Sequence, residues 1–232
     1  MATLSDLVSA IDSIIQDTDI PTITKNINKA VLAIAGGIMM PDRVISPPLP
    51  DLIDYATVAT TTVAHVSLPT DYQRKVFMVL DSSGNQIAPP QGGDYYAYAL
   101  FLKQLSDKRL TETGSVYKVA VKGSNLYYQG IPTVAETLGL HYYRKPVDMA
   151  LDGDTPDGLP EHLQERLIKH YVCKEIFGDM IEDGQDNTGV GYKFHSGKFM
   201  EAMMELIDFI GIDAEPQYYG SGEFQDAGAC DG

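Results

Sequence analysis

The chain of 232 residues carries a formal charge of −15, with 44% apolar and 21% charged residues and a pI near 4.5. This composition is typical of a folded globular protein and excludes a disordered or collagen-like chain. The acidic balance argues against a protein that grips nucleic acid, because such binding requires clustered Lys and Arg.

Cysteine content and apolar run lengths limit where the protein is expected to act. Two cysteines are too few for a disulfide scaffold, and no Cys/His pattern has zinc-site spacing. The N-terminus lacks the basic and apolar regions of a signal peptide. The longest mostly apolar stretch, residues 30–40, is far shorter than the roughly 20 residues that span a bilayer. We therefore expect synthesis in a reducing cytoplasm and no membrane helix.

Apolar residues at helical spacing predict two helices near the N-terminus. Thr3 and Asp6 form a capping pair for the first helix. The second is expected to begin near Pro21 and to stop at Gly36-Gly37. Four prolines in residues 41–50 predict an extended connector. Residues 1–57 are thus assigned to an N-terminal helix pair and a Pro-rich connector.

A change to period two predicts an inserted antiparallel β-module over residues 58–150. Ser83-Gly84-Asn85 and Gly123-Ser124-Asn125 lie between alternating runs and predict two hairpin turns. The stretch 94–109 is compatible with either a strand or a short helix. In each of three tyrosine pairs, one ring can face the core and the other solvent or a partner, and ordinary sheet packing is the equal alternative; the pairs are Tyr95-Tyr96, Tyr127-Tyr128 and Tyr142-Tyr143.

Two further helices are predicted in residues 151–211, which would complete the bundle. The third helix is expected to start at Pro160 and to run for about twenty residues, as its wide apolar face indicates. The fourth is expected from Lys198 to Ile210, with its start left open among nearby glycines. Residues 212–232 have no periodicity and are expected to form an extended acidic tail. The predicted fold class is α+β, a small four-helix bundle with an inserted β-module.

Clustered acids after residue 151 present the strongest case for a metal site. Asp152, Asp154 and Asp157 resemble the opening of a calcium loop. Pro156, however, falls where a ligand belongs, and the twelfth position is Leu163 rather than Glu. A turn leading into the helix is therefore favoured over a metal site.

Histidine and cysteine spacing offers no catalytic pattern. His162 and His170 lie eight residues apart, without the spacing that brings two imidazoles to one metal, and are expected to be solvated. Cys173 lies among apolar neighbours and is expected to pack in the core. No catalytic residue, cofactor or metal ligand is predicted.

Charge is divided unevenly along the chain. Residues 1–57 carry −4, residues 58–150 carry +2 and residues 151–232 carry −13, and no base follows Lys198. The middle part is therefore expected to face a different partner. Tyr218, Tyr219 and Phe224 lie in the acidic tail, where apolar residues without a core usually await a partner.

The order of segments resembles the head-to-tail adaptor, or connector, proteins of tailed bacteriophages. Three strings carry the resemblance: Leu-Pro-x-Asp-Tyr at Leu68 to Tyr72, Tyr-Tyr-Arg-Lys-Pro at Tyr142 to Pro146, and Thr-Pro-Asp-Gly-Leu-Pro at Thr155 to Pro160. A helix of the type ITKNINKAVLAIAGG precedes them, and EHLQERLIKHYVCKEIF follows them. The motifs span most of the chain and are structural rather than catalytic.

The resemblance implies a virion protein of the neck that forms a ring of about twelve copies between portal and stopper or tail. Double-stranded DNA would pass through the lumen without specific binding, and no reaction is implied. Tyr218, Tyr219 and Phe224 are candidates for portal contact, and Lys103, Lys108 and Arg109 for contact with a neighbour or tail component. The alternatives are a tail or baseplate binding module and a metal-dependent enzyme built on the acids at 152–157.

Overall fold

The computed structural model describes residues 1–15, 19–90, 94–105, 110–184 and 188–211. In chain order, the helices are α1 (Leu4–Asp12), α2 (Ile20–Gly36), α3 (Tyr98–Lys103), α4 (Gln164–Glu182) and α5 (Val190–Ile210). The strands are β1 (Ile53–Ala59), β2 (His65–Ser67), β3 (Tyr72–Leu80), β4 (Lys118–Lys122), β5 (Asn125–Gln129) and β6 (Thr137–Arg144).

The chain divides into two compact units. The helical unit comprises residues 1–52 and 145–211 and contains α1, α2, α4 and α5, whereas the β unit comprises residues 53–144. In the helical unit, α4 contacts each of the other three helices. All four helices contribute side chains to one apolar core, among them Leu7, Ile27, Leu167 and Phe199.

The two N-terminal helices form where the sequence predicts them. The Thr3 hydroxyl accepts a hydrogen bond from the Asp6 N–H, and the Asp6 carboxylate accepts one from the Thr3 N–H, which completes a capping box. Asp19 caps α2 through the Thr22 N–H at 3.3 Å. Gly37, with φ of +99°, follows the last helical residue and ends α2.

Of the two C-terminal helices, one starts elsewhere than predicted. The start of α4 at Pro160 is wrong, because residues 159–163 form a turn and the helix begins at Gln164. The buried Gln164 side chain holds this turn by donating to the Leu159 carbonyl at 2.9 Å. The fourth helix begins at Val190, among the glycines over which the sequence leaves its start open. Gly191 lies within this helix. A Cβ at that position would come within 2.9 Å of the Phe177 ring, so the close packing of the ring requires glycine there.

The β unit contains two three-stranded antiparallel sheets, with strand orders β1-β6-β3 and β2-β5-β4. The hairpin at Gly123 is confirmed, since β4 and β5 pair up to Lys122 and Asn125 around it. The turn at Gly84 also forms, but its second arm is a single bridge from Leu80 rather than a strand. β1 begins at Ile53, ahead of the predicted module, because an edge strand tolerates the polar residues that interrupt its apolar pattern.

In two of the three tyrosine pairs, one ring faces the core and the other is more exposed. Tyr95 and Tyr128 are buried, and their neighbours Tyr96 and Tyr127 are only partly buried. Tyr142 and Tyr143 are both buried, so for that pair the alternative of ordinary sheet packing holds. Both belong to β6, the central strand of its sheet, and a central strand is easily covered on both faces.

The predicted fold class is confirmed: the protein is α+β, with five helices and two small antiparallel sheets in the described residues. The stretch left open between strand and helix contains α3. The proposed tail, residues 212–232, lies outside the described residues. The assignment of the four predicted segments to independent domains stays a prediction.

Candidate interaction surfaces

The residues predicted to contact partners are mostly outside the described part of the chain. This applies to Tyr218, Tyr219 and Phe224, and also to Lys108 and Arg109. Lys103 is described, and it is exposed in the last turn of α3. The portal and neighbour contacts assigned to these residues therefore stay predictions.

A short loop after α2, residues 38–46 (the 38–46 loop), presents apolar side chains in a fixed conformation. Ile38 and Ser46 close its base, since the Ser46 hydroxyl accepts from the Ile38 N–H and the Ile38 carbonyl accepts from the Ser46 N–H, both at 2.8 Å. The Met40 N–H donates to the Val44 carbonyl at 2.9 Å, and the Met40 side chain is buried. Three large apolar side chains are exposed on this loop: Met39, Val44 and Ile45. Such a rigid apolar surface is suited to a protein partner.

A second apolar surface lies on one face of the β1-β6-β3 sheet. The Tyr55 ring lies 4.9 Å from the His141 ring, and the Phe77 ring lies 6.0 Å from it on the other side. Tyr55 also covers Gly139, where an added Cβ would come within 2.7 Å of the tyrosine hydroxyl. Half of Tyr55 remains exposed despite these contacts, so the face is available to a partner.

Two histidines meet between α4 and α5. The Nδ1 atoms of His170 and His195 are 2.9 Å apart, so one imidazole donates a hydrogen bond and the other accepts it. His195 is only 6% exposed. Phe177 stacks on its ring at 5.5 Å and Phe194 meets it edge-on at 5.1 Å. The pair therefore joins the two helices through a hydrogen bond enclosed by aromatic rings.

This environment favours neutral imidazoles. Burial, followed by the nearby charge of His195 and of Lys169, lowers the pKa of His170 to about 4. Burial also lowers the pKa of His195. His170 is half-buried rather than fully solvated as predicted, and the contact of His195 was not predicted. His162 is exposed as predicted, with its ring edge-on to Phe209.

The acids considered for a metal site instead build their own loop. One oxygen of Asp154 accepts from the N–H groups of Leu151 and Ala150, at 2.8 and 2.7 Å, and these bonds lower the pKa of its carboxyl. Asp157 accepts from the Val147 N–H at 2.8 Å. Within the described ranges, no group of three or more His, Cys, Asp or Glu side chains is arranged to hold a metal ion. The favoured turn is what the structure contains.

Cys173 is fully buried in the core of the helical unit, as predicted. Burial raises the pKa of its thiol to about 11. The side chain is therefore a thiol at neutral pH, whereas the nucleophile of a cysteine enzyme is a thiolate.

Several bases of the helical unit are already held by acids. Lys169 pairs with Glu165 at 2.7 Å, and Lys198 pairs with Glu201 at 2.8 Å. Arg166 of α4 pairs with Glu205 of α5. Cations paired in this way attract phosphate weakly, because the neighbouring carboxylate cancels their field. None of the helices in the described residues combines the length and the apolar composition of a bilayer-spanning segment.

Comparison with known proteins identifies the family of this chain. The family model described as "SU10 adaptor protein" matches residues 2–222, nearly the whole chain. No curated protein matches the chain. The chain therefore belongs to the SU10 adaptor protein family and is a bacteriophage structural adaptor protein, a component of the virion neck.

Proposed function

We propose that this protein is a head-to-tail adaptor that forms a ring of about twelve copies between the portal and the stopper or tail. Double-stranded DNA passes through the ring during packaging and ejection. The protein makes and breaks no covalent bond, and it needs no cofactor. Its function is geometric, because each copy must fit two neighbours and the components above and below.

The observation that carries this proposal is apolar surface exposed in a fixed conformation, most clearly on the 38–46 loop. Met39, Val44 and Ile45 are each more than half exposed, while hydrogen bonds at the base of the loop hold its shape. Exposed apolar side chains are costly in an isolated protein and favourable once a partner covers them. A preformed surface also loses little conformational entropy on binding.

The net charge of −15 supports passive passage of DNA. A ring of such subunits repels phosphates, and two of its lysines, Lys169 and Lys198, are already paired with glutamates. DNA would then slide through the lumen without the salt-sensitive binding typical of basic proteins. If the acidic residues lay only on the outer wall of the ring, and not in the lumen, this part of the proposal would be contradicted.

The two sets of predicted contact residues are assigned to different partners. Tyr218, Tyr219 and Phe224 anchor the tail on the portal, because aromatic side chains bury large areas on binding. Lys103, Lys108 and Arg109 meet an adjacent subunit or the next tail component. The charge difference between the middle of the chain and its ends supports this division.

Electron microscopy of the purified protein, with and without portal, tests the proposal most directly. We expect a closed ring seated on the portal, with the 38–46 loop at a contact between copies. The proposal is overturned if the protein lies elsewhere in the virion or joins the portal as a single copy.

Removal of the residues after Gly211 tests the tail separately. We expect a folded protein that no longer joins portal-bearing heads, because the aromatic anchors are lost. Triple substitution of Tyr218, Tyr219 and Phe224 by Ser should give the same loss with the chain length preserved. Normal joining by both variants would contradict the tail assignment.

A further inference from the structure

The outer face of α2 carries an unusual combination of residues for this acidic protein. Lys25 and Lys29 lie one turn apart and are exposed. Two apolar side chains flank them, Ile20 at 62% exposure and Leu32 at 42%. Together with Pro21 these residues line an open groove, called here the α2 groove.

Core packing and hydrogen bonds hold the α2 groove in place. The opposite face of the helix is buried in the core through Ile23 and Ile27. Asn28 forms two hydrogen bonds of 2.9 Å with the backbone of Met149, which hold the loop bearing Asp148 at the rim. The groove thus exists before any ligand arrives.

The charge of its two lysines is only partly compensated, by Asp148 at the rim and by Glu175 near Lys29. Lys25 forms no ion pair with any residue that the structure describes. Lys29 lies 3.9 Å from Glu175, at the limit of an ion pair, and its side chain is 62% exposed. A fitting ligand has carboxylates beside an apolar or aromatic group.

One segment of this chain has that chemistry. Residues 223–226 read Glu-Phe-Gln-Asp, with an aromatic ring between two acids. No base occurs after Lys198, so nothing in this part of the chain competes for the carboxylates. The acids lie three residues apart, about 10 Å in extended chain, and long lysine side chains can meet both.

The segment can reach the groove on its own subunit. Eleven residues lie between Gly211 and Glu223, and the chain from one to the other spans up to about 40 Å when extended. A helical unit of this size has a radius of gyration of about 14 Å.

Clefts on the surface of the helical unit offer the tail a path from the end of α5 to the α2 groove. The end of α5, Asp51 and Gly158 line one cleft of the helical unit. Asp51 and Gly158 also line a second cleft. This second cleft meets the α2 groove at Asp148, which lines both. Residues 216–222, which would cross this acidic stretch, carry no charge.

We infer that, in the free subunit, residues 223–226 bind the α2 groove of the same chain. Phe224 lies against the apolar part of the groove, and the flanking carboxylates pair with Lys25 and Lys29. As a contact between separate molecules this would be weak. Attachment to the same chain gives the segment an effective concentration in the millimolar range, which makes the bound state populated.

The biological consequence rests on the proposed function. Phe224 is also assigned to the portal, and one side chain cannot occupy both places. The α2 groove therefore holds the tail before assembly and competes with the portal for it. Loss of the groove charge, as in Lys25→Glu with Lys29→Glu, should increase joining to portal-bearing heads severalfold.

Zero-length carbodiimide cross-linking of the full-length free protein tests the inference without any portal. The reagent joins a lysine amine to a carboxylate in contact with it, and mass spectrometry identifies the pair. We expect Lys25 or Lys29 joined to Glu223 or Asp226, at least about fivefold above links from exposed Lys193 to the tail. Mixing labelled and unlabelled chains distinguishes links within a chain from links between chains.

Two further comparisons sharpen the result. Phe224→Ser keeps every lysine and carboxylate, and it should lower the yield of the tail link at least about threefold. The Lys169–Glu165 pair, 2.7 Å apart within α4, should give an unchanged link and serves as the internal control. Raising NaCl from 50 to 500 mM should weaken the tail link, because both lysines are exposed.

Three outcomes would overturn the inference: links only between chains, tail links spread equally over Lys193 and the α2 lysines, or no tail link while the α4 control forms. None of them would affect ring formation, which the microscopy tests. Failure of ring formation would equally leave the cross-linking result intact.

Discussion

Acidification should weaken the contact between α4 and α5 through the His170–His195 pair. Both imidazoles are neutral in the folded protein at pH 7, because the pKa of each is lowered from 6.5. Below pH 6.5 the unfolded chain binds protons that the folded chain excludes. The free energy of unfolding therefore falls as pH falls from 6.5 toward the folded pKa of about 4, and it is fully present only above 6.5.

The size of the effect follows from the histidine shift. Each pKa unit corresponds to about 1.4 kcal/mol, so lowering the pH to 5 removes at most about 2 kcal/mol through His170. Because His170 is partly exposed, solvent screening reduces this to about 1 kcal/mol. If both rings were protonated, their Nδ1–H groups would face each other at 2.9 Å, with Arg166, Lys169 and Lys198 adding repulsion.

Urea denaturation at pH 7 and pH 5 measures this loss directly. We expect the wild-type protein to lose about 1 kcal/mol more than His170→Gln over this interval. His162→Gln, which changes an exposed histidine at Phe209, should behave as wild type. The pH range stays above most carboxylate titrations, whose contribution is common to all three proteins. An equal loss in wild type and His170→Gln would refute the reasoning.

Three other substitutions test separate parts of the structure. Gly139→Ala should change the free energy of unfolding by less than about 1 kcal/mol, because its Cβ would meet only the far end of the half-exposed Tyr55 side chain, which can move toward solvent; a larger loss in urea would show that the ring is held in place. Asn28→Leu should cost about 1–3 kcal/mol in the same assay, because the backbone N–H and carbonyl of Met149 lose their partners; full stability would show that they are replaced. Val44→Asp should change stability by less than about 0.5 kcal/mol yet reduce ring assembly measured by light scattering; unimpaired assembly would remove the 38–46 loop from the interface.

The sequence predicted those elements whose signals are local. Capping by Thr3 and the stop at Gly37 depend on residues within one or two turns, and both are observed. The hairpin at Gly123 depends on a positive φ that glycine adopts easily, and it is observed as well.

The errors arise where distant residues decide. Local propensity places a helix start at Pro160, but the buried hydrogen bonds of Gln164 stabilise a turn there. Gly191 counts against a helix by propensity, although packing against Phe177 requires a residue without a side chain. Neither contact can be read from spacing along the chain.

The histidine pair was missed for the same reason. His170 and His195 are 25 residues apart on different helices. Residue spacing shows only which side chains share a face of one helix, so it gives no sign of this pair. Once α5 is known to begin at Val190, His195 falls within the helix that packs on α4. Two histidines on the facing sides of neighbouring helices are then a detectable signal.

Salt should affect the two proposed contacts of this acidic chain differently. One is the contact between copies, and the other is the binding of the tail by Lys25 and Lys29. Copies that each carry −15 repel one another, so the proposed association of copies would have to come from apolar surface such as the 38–46 loop. Added salt shortens the Debye length to about 3 Å at 1 M, which relieves this repulsion and favours self-association. The attraction of Lys25 and Lys29 for the acidic tail is screened by the same salt and weakens. A single salt titration, followed by light scattering and by tail cross-linking, should therefore move the two contacts in opposite directions; parallel changes would mean that one of them has been assigned the wrong chemistry.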